Sequence, residues 1–423
     1  MKIFFILLLI SSKVFALTPS FPHQDSGPDG GRFNNIEIFK IENTIRNQLS
    51  NKENLSFEQI AELQNLETIL ITGKRAILWF EKINELRSPE NKLELTVNGT
   101  SKGIPLTSPM KTNTEILIER YKKVLNEISP IVAQTIASSE ELPNTTPVSD
   151  EEFVKSIRAV DVVYQHTIRW SRSKNNLSYY INRSLFDVRG YLFLKNTSDL
   201  ENKLNNWENL SLTDKTNFSS WLFSLCHNGD FDDSDCKEEL NKAILKNRAF
   251  SFYQRFNKYG ENQYKSFFKI SSIRSEIFWN QDKTILYSPF LSPERLDVKN
   301  WLSDNISDGW KGIGFNLVLD FKNSSNQNIP HIEFKSGVTA HVNHIAGDTI
   351  TMDGDYSLNN YSQRWTIRHE YGHILGFTDC YLEFFDVNEK AMLYYEIDID
   401  NLMCSRRGNL RSEHINELKN AYK

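Results

Sequence analysis

The chain has 423 residues and a formal net charge of −5, with 49 basic against 54 acidic side chains. This length allows two or three domains, and a hydrophobic content of 39% is enough for packed cores, which excludes a globally disordered chain. Because the two signs of charge are interspersed, the composition gives no electrostatic basis for binding nucleic acid or an anionic membrane surface. We therefore predict a globular protein without a nucleic-acid partner.

The first sixteen residues, MKIFFILLLISSKVFA, combine an early lysine, a short apolar run and a small residue at the end. This pattern is typical of a secretory signal peptide and predicts cleavage after Ala16. The alternative is an uncleaved N-terminal anchor. No later stretch approaches the roughly 20 consecutive apolar residues of a membrane helix, so no membrane insertion is expected after cleavage. We predict a secreted or periplasmic protein.

The four cysteines are an even number in a chain that is expected to be exported. Such cysteines are usually paired, and four of them allow three connectivities. We favour the pairs nearest in sequence, Cys226 with Cys236 and Cys380 with Cys404.

Helical patterning dominates the region before residue 276. Residues 17–145 contain long segments with apolar side chains three and four apart, with a helix break expected near Pro130. A polar stretch at 138–151 predicts a linker, and residues 146–275 form a second, aromatic-rich helical domain. Residues 17–145 are also a candidate propeptide. In the second domain, CHNGDFDDSDC resembles a calcium loop but has Asp235 where such loops have glycine, so structural Ca²⁺ is the less favoured interpretation there.

Strand-like segments first appear after residue 275. TILYSPF, GFNLVLDF, IPHIEF and GDTITMD predict strands, and SPERLDVKNWLSDNISDGW predicts an amphipathic helix between the first two. The expected fold is α+β: a C-terminal domain at 276–423 with a mixed twisted sheet, preceded by the mainly helical region.

The segment RHEYGHILGFTDC contains the candidate catalytic and metal-ligating residues. A helix places His369 and His373 one turn apart on one face, a spacing that allows both imidazoles to bind one metal ion. Gly376 would let the chain leave the helix sharply and return Asp379 as a third ligand, while Glu370 lies beside the two histidines. Imidazole and carboxylate ligands favour Zn²⁺, so we predict one catalytic zinc ion.

The string HExxHxxGxxD, followed by NLMCS at residues 401–405, resembles the active-site and Met-turn motifs of metzincin zinc peptidases, and the aspartate variant is most similar to the snapalysin type. The resemblance covers residues 276–423. It implies Glu370 as general base toward a zinc-bound water, and it implies that Met403 lies beneath the metal without binding it. It also implies that residues 331–353 supply a sheet edge for an extended peptide.

The chain departs from the family in two places near the site. Some metzincins carry a tyrosine two residues after the Met-turn methionine, where this chain has Ser405, and Tyr381, Tyr394 and Tyr395 are candidate replacements. Cys380 adjoins the third ligand, so metal coordination by its sulfur is an alternative to the disulfide. A second zinc site at His331, His341 and His344 is the less favoured interpretation of those histidines.

We therefore expect a secreted zinc metalloendopeptidase that acts on protein or peptide substrates. One alternative is an exported zinc-binding interaction protein without turnover. The other is a zinc hydrolase of a non-protein amide such as a cell-wall peptide. The sequence does not indicate an oligomeric state.

Overall fold

A computed structural model describes residues 35–51, 55–95, 103–323, 328–336, 338, 340–354, 357–359, 361–405 and 408–423. The predicted signal peptide lies outside the described residues. The fold is mixed α+β, as expected, with helices before residue 276 and most strands after it. No helix within the described ranges is both long enough and apolar enough to span a membrane.

The helical part contains eleven α-helices in the described residues, and one short strand is inserted among them. Local signals set several of their boundaries: the Ser56 side chain and Gln59 form a capping box at the start of α2, and Pro130 begins α4 after the expected break. The helices are α1 (Asn35–Ser50), α2 (Phe57–Glu85), α3 (Thr114–Glu127), α4 (Pro130–Ala137), α5 (Asp150–Lys174), α6 (Leu177–Asn182), α7 (Arg189–Lys195), α8 (Leu200–Asn205), α9 (Leu212–His227), α10 (Asp233–Leu245) and α11 (Ala249–Ser266), and the strand is β1 (Met110–Thr112).

The remaining elements lie after residue 276. The predicted strands and the predicted helix are present, together with short strands and a hairpin that the sequence patterns do not predict. They are β2 (Phe278–Trp279), β3 (Ile285–Leu291), α12 (Leu296–Leu302), β4 (Lys311–Gly312), β5 (Phe315–Lys322), β6 (His331–Lys335), β7 (His341–Val342), β8 (Thr349–Asp353), α13 (Tyr361–Ile374), β9 (Tyr381–Asp386), β10 (Ala391–Glu396) and α14 (Ser412–Ala421).

The strands of the described residues form three small sheets, with orders β2-β3-β5-β4, β6-β8-β7 and β1-β10-β9. In the first two, β3 pairs with β5 and β6 with β8 in parallel, while β7 runs antiparallel at the edge beside β8. A hydrogen bond from Leu291 N to the Pro330 carbonyl, 2.8 Å long, joins the end of β3 to the start of β6. This bond links the first two sheets at one point.

The hydrophobic clusters of the helical part contain helices from both sides of the predicted boundary at residue 145. Helices α2 and α5, which lie on either side of that boundary, share apolar cores; one of these cores includes Leu66, Leu117 and Trp170. A separate cluster joins α7 to α11 around Leu222 and Phe256. The helical part thus consists of an α1–α5 bundle and an α7–α11 cluster.

The β9–β10 hairpin lies between the helical bundle and the C-terminal core. On one face, Leu382 and Phe384 belong to the core that also contains α13. On the opposite face, Met392 and Phe385 belong to the cluster of the α1–α5 bundle, where Phe385 stacks on Trp170 with ring centroids 6.4 Å apart. Because side chains alternate between the faces of a strand, the hairpin contributes side chains to both hydrophobic cores.

Candidate metal centre

The end of helix α13 positions the first two predicted ligands. His369 and His373 lie one turn apart with perpendicular rings whose centroids are 4.8 Å apart, and both are almost completely buried. Glu370, the next residue after His369, is 0% exposed. The predicted helix and the shared face of the two histidines are therefore present.

Gly376 ends the helix with a φ of +92°, in the left-handed region that glycine adopts readily. A Cβ at this position would lie 1.9 Å from the carbonyl oxygen of Ser272, so the close approach of that segment also requires glycine. The chain then returns and places Asp379 beside the histidines. Its carboxylate oxygen lies 3.1 Å from Nε2 of His369 and 3.3 Å from Nε2 of His373.

Backbone carbonyls fix the orientation of both imidazole rings. Nδ1 of His369 lies 3.2 Å from the Leu402 carbonyl oxygen, and Nδ1 of His373 lies 2.9 Å from the Phe377 carbonyl oxygen. A carbonyl oxygen only accepts hydrogen bonds, so each Nδ1 must carry its proton and donate. In neutral rings, both Nε2 lone pairs then face the Asp379 carboxylate.

This arrangement requires positive charge at the centre of the cluster. Two lone pairs and an anionic oxygen at 3.1 and 3.3 Å repel one another unless a cation lies between them or the imidazoles are protonated. Histidines whose outer nitrogen donates to a carbonyl while the other faces inward are typical of metal ligands. Among the described residues, His369, His373 and Asp379 are the only group of three or more His, Cys, Asp or Glu side chains close enough to hold one ion.

The predicted Met-turn lies directly against helix α13. Met403 is 1% exposed, and its sulfur would be 2.2 Å from a Cβ placed on Gly372, so glycine permits this contact. The turn is held by Asn401, whose side-chain oxygen accepts from the Met403 N–H at 2.8 Å. The Leu402 carbonyl that orients His369 belongs to the same turn.

Both favoured disulfides are present, Cys226–Cys236 and Cys380–Cys404. The second joins the residue after Asp379 to the residue after Met403, and the Cys380 N–H also donates to the Met403 carbonyl at 3.1 Å. The third-ligand loop and the Met-turn are thus cross-linked. Because Cys380 is bonded to Cys404, its sulfur is not a thiolate for a metal ion.

The candidate tyrosines occupy different environments. Tyr381 is half-buried beside His369, with ring centroids 6.5 Å apart, and Tyr394 packs against Tyr381. Tyr395 is fully buried and its hydroxyl donates to Asp187 at 2.8 Å. Burial and the Asp187 carboxylate raise the pKa of Tyr395 well above its usual value. Tyr395 therefore serves the contact with the helical region, whereas Tyr381 borders the metal centre.

His414 is a further residue of the centre that the sequence patterns do not predict. It is buried on α14, accepts from the Arg411 N–H and donates through Nε2 to the Asn401 side chain at 3.0 Å. It therefore supports the turn that holds Met403. No local signal identifies it, because a lone histidine on a short amphipathic helix has no characteristic spacing.

The other sites considered from sequence are not assembled as metal clusters within the described residues. Asp230, Asp232 and Asp235 do not converge with other acidic groups, and neither do His331, His341 and His344 with one another. Comparison of the chain with protein-family models, with curated proteins and with solved structures finds no match in any of the three. The geometry of the site is therefore the basis for inferring a function.

Proposed function

We propose that the protein is a zinc-dependent metalloendopeptidase, related in its active-site design to the metzincins and exported from the cell. The observation that carries this proposal is the convergence of two carbonyl-oriented imidazoles and one carboxylate on a single point. The buried Glu370, the positive φ of Gly376 and the contact of Met403 with Gly372 support the same interpretation.

The separations of the Asp379 oxygen from the two histidine nitrogens suit zinc. Bonds of about 2.0–2.1 Å in a tetrahedral arrangement separate two ligand atoms by about 3.3 Å. The separations from the Asp379 oxygen to the two histidine nitrogens are 3.1 and 3.3 Å. Two nitrogens and one oxygen with a remaining open position form the donor set of a catalytic rather than a structural zinc site.

A zinc ion at this position supplies Lewis acidity, which polarises a peptide carbonyl and lowers the pKa of water to about 7. The chain supplies the proton transfers. Glu370 lies next to His369 in a fully buried position, where it accepts the proton of the attacking water and returns it to the leaving amine. Asp379 and the two histidines hold their places through the carbonyls and the disulfide described above.

The sheet next to the centre offers a binding mode for an extended substrate. Strand β7 lies at the edge of its sheet, and the loop that follows it contacts the metal-binding helix through a 2.7 Å hydrogen bond from Ala346 N to the His373 carbonyl. A peptide that adds to this edge is held by backbone hydrogen bonds largely independent of its sequence. This geometry favours an endopeptidase.

The test combines zinc content with casein cleavage on the full chain. We expect wild type to bind one zinc ion and cleave casein. Glu370→Gln should retain zinc and lose at least about a hundredfold in turnover, because only the general base is removed. His373→Ala should lose both properties, and His331→Ala, a histidine outside the cluster, should keep both.

The alternatives give different results in the same assay. Zinc in wild type without cleavage of casein or of a cell-wall peptide would indicate a binding role. Cleavage of the cell-wall peptide alone would assign the second substrate class. Absence of zinc from wild type would contradict the proposal.

A further inference from the structure

Arg274 is a buried cationic side chain that is not one of the predicted metal ligands, and only 8% of it is exposed. Its guanidinium donates to the Ala346 carbonyl at 2.9 Å and to the Gly347 carbonyl, both in the loop between β7 and β8. It also donates to the carbonyl of Asn328, in the segment that leads into β6. The planar guanidinium has five N–H groups in a fixed fork, so one arginine can hold several acceptors at once. Arg274 therefore joins two loops of the β6-β8-β7 sheet.

The base of the Arg274 side chain is itself fixed beside the exit of helix α13. The Arg274 N–H donates to the Tyr422 hydroxyl at 3.4 Å, and this hydroxyl donates to the Leu375 carbonyl at 3.1 Å. The Glu276 carboxylate accepts from Nε of Arg274 at 2.5 Å and compensates the charge of the guanidinium. The side chain is thus held at both ends, and its remaining N–H groups are directed at the loop carbonyls.

The loop that Arg274 holds also contacts α13 at a predicted metal ligand. Ala346 N donates to the His373 carbonyl at 2.7 Å, so both backbone polar groups of Ala346 are bonded, one to α13 and one to Arg274. Ala346 has a φ of +57°, in the left-handed region that is disfavoured for alanine. Such a conformation persists only where surrounding contacts impose it. The position of the loop therefore depends on the contacts of Ala346 with His373 and Arg274.

The position of this loop determines the position of the sheet edge. Strand β7 consists of His341 and Val342 alone, and the loop follows it directly. Its pairing with β8 is a short ladder of two residue pairs, so the bonds of the loop contribute to holding the strand. An edge strand that moves presents its N–H and C=O groups at changing positions, which weakens the hydrogen bonds of a peptide that adds to it.

From these contacts we propose that Arg274 is a positioning residue for peptide binding, which holds the β7–β8 loop against α13 and thereby fixes the edge strand β7. This role rests on the proposed peptidase function. Within the described residues, the side-chain hydrogen bonds of Arg274 go to three backbone carbonyls and to Glu276. Loss of Arg274 should therefore weaken the binding of an extended substrate and leave the zinc ligands in place.

The test compares Arg274→Met with Arg75→Met in the full-length protein. Arg75 is a matched control, because its guanidinium donates to the carbonyls of Thr135 and Glu140, at 3.3 and 2.7 Å, within the α1–α5 bundle. Hydrogen exchange followed by mass spectrometry measures the mobility of residues 341–348, and steady-state kinetics on fluorescein-labelled casein gives KM and kcat.

We expect Arg274→Met to accelerate exchange of the loop amides at least about tenfold, because the loop opens without unfolding of the rest. KM should rise roughly tenfold and kcat should change less than about twofold, since weaker peptide binding affects the ground state and the transition state alike. Arg274→Lys should give an intermediate KM, because an ammonium group lacks the planar fork. Zinc content should be the same in all variants, and Arg75→Met should match wild type in both readouts.

Three results would overturn this role of Arg274: loop exchange that is unchanged in Arg274→Met, faster exchange with an unchanged KM, and an equal rise of KM in Arg75→Met. The last would indicate a general loss of stability. Absence of casein cleavage by wild type would contradict the proposed function and, with it, the role of Arg274 in peptide binding, whereas the exchange data would still show whether Arg274 holds the loop. Circular dichroism establishes that each variant is folded, and Arg274→Lys decides by both readouts if Arg274→Met is not.

Discussion

At the scale of single residues, the candidate metal centre depends on Gly376, a position where a larger residue does not fit. Gly376 combines a positive φ with a carbonyl oxygen 1.9 Å from the position of a Cβ. Gly314 also has a positive φ, of +65°, but nothing lies within 4 Å of its Cβ position. Substituting each glycine by alanine therefore distinguishes the cost of a left-handed backbone from the cost of crowding around the new Cβ.

We predict that Gly314→Ala costs about 1–2 kcal/mol of unfolding free energy, because only the left-handed conformation is penalised. Gly376→Ala should cost more and should also weaken zinc binding, since the chain must move away from Ser272 and carry Asp379 with it. Urea unfolding and zinc competition titrations measure the two effects. Equal effects of the two substitutions would contradict this account of the helix exit.

His414 gives the centre a dependence on pH through the Met-turn. Burial lowers its pKa from 6.5 to about 4, so the folded protein holds it neutral. The unfolded chain binds the proton first as pH falls. The lowered pKa of His414 therefore contributes about 3 kcal/mol to the unfolding free energy. This contribution is complete above about pH 6.5 and is lost as the pH falls from 6.5 to 4.

The variant His414→Gln lacks this titration. We expect its deficit in unfolding free energy relative to wild type to be largest near pH 7 and to shrink by about 3 kcal/mol toward pH 4. The difference in unfolding free energy between the two proteins is free of the contributions of the other titrating groups, which are the same in both. A deficit that does not change with pH would show that His414 does not titrate in this range.

At the scale of elements, the sequence patterns predict structure where the signal is local. Helix α13, strands β3 and β5, and the break at Pro130 follow from periodicity and from residue type. Strand β1 has only three residues and pairs with β10 more than 270 positions later, as in the Met110–Tyr394 pair. Long-range pairing of this kind has no local signature, and neither do the carbonyl partners of the two histidines.

Local sequence patterns also do not predict the β9–β10 hairpin. All six residues of β10 are buried, because one face meets the C-terminal core and the other meets the helical bundle. The strand therefore lacks the alternation that identifies a strand with one exposed face. Its run AMLYYE is consistent with either a buried strand or a buried helix.

The two disulfides provide a matched comparison at this scale. Replacing Cys380 and Cys404 by alanine should lower the unfolding free energy by about 3 kcal/mol and weaken zinc binding, because the third-ligand loop is freed from the Met-turn. Replacing Cys226 and Cys236 should lower stability and leave zinc affinity unchanged, since that pair belongs to the α7–α11 cluster. Loss of zinc affinity in both double variants would argue against a local role for the Cys380–Cys404 bond.

At the scale of the whole molecule, the helical region and the C-terminal region with the candidate metal centre form one connected structure. Segments from the helical part reach the C-terminal core: Ser271 N donates to the Gly376 carbonyl, and the buried Arg274 bonds to carbonyls of residues 346 and 347. The ion pair between Arg169 and Glu383, 3.6 Å long and mostly buried, adds a further link. The predicted boundary at 275/276 therefore falls just after residues that bond to the exit of helix α13 and to the loop at residues 346–347.

We predict that residues 276–423 do not fold when produced alone. That fragment lacks β1, Arg274 and the helical side of the β9–β10 hairpin, and would expose the apolar face around Met392. Insertion of a protease site in the linker between Thr145 and Thr146 should instead allow cleavage without separation of the two pieces. Size-exclusion chromatography checks both results, and a soluble, zinc-binding 276–423 fragment would contradict this prediction.

The same packing bears on the suggestion that residues 17–145 are a propeptide. Strand β1 belongs to that region and forms one edge of the β1-β10-β9 sheet, and Leu66 and Leu117 share a core with Met392. Release of such a segment would uncover part of a hydrophobic core. We therefore expect the bundle to stay attached in the active protein.

We propose that His369, His373 and Asp379 hold a zinc ion. Zinc K-edge X-ray absorption on the full-length protein tests this site. We predict a first shell of nitrogen and oxygen atoms at about 2.0–2.2 Å that includes two imidazoles and no sulfur. A zinc-free protein, or a shell with sulfur at about 2.3 Å, would contradict the proposed site.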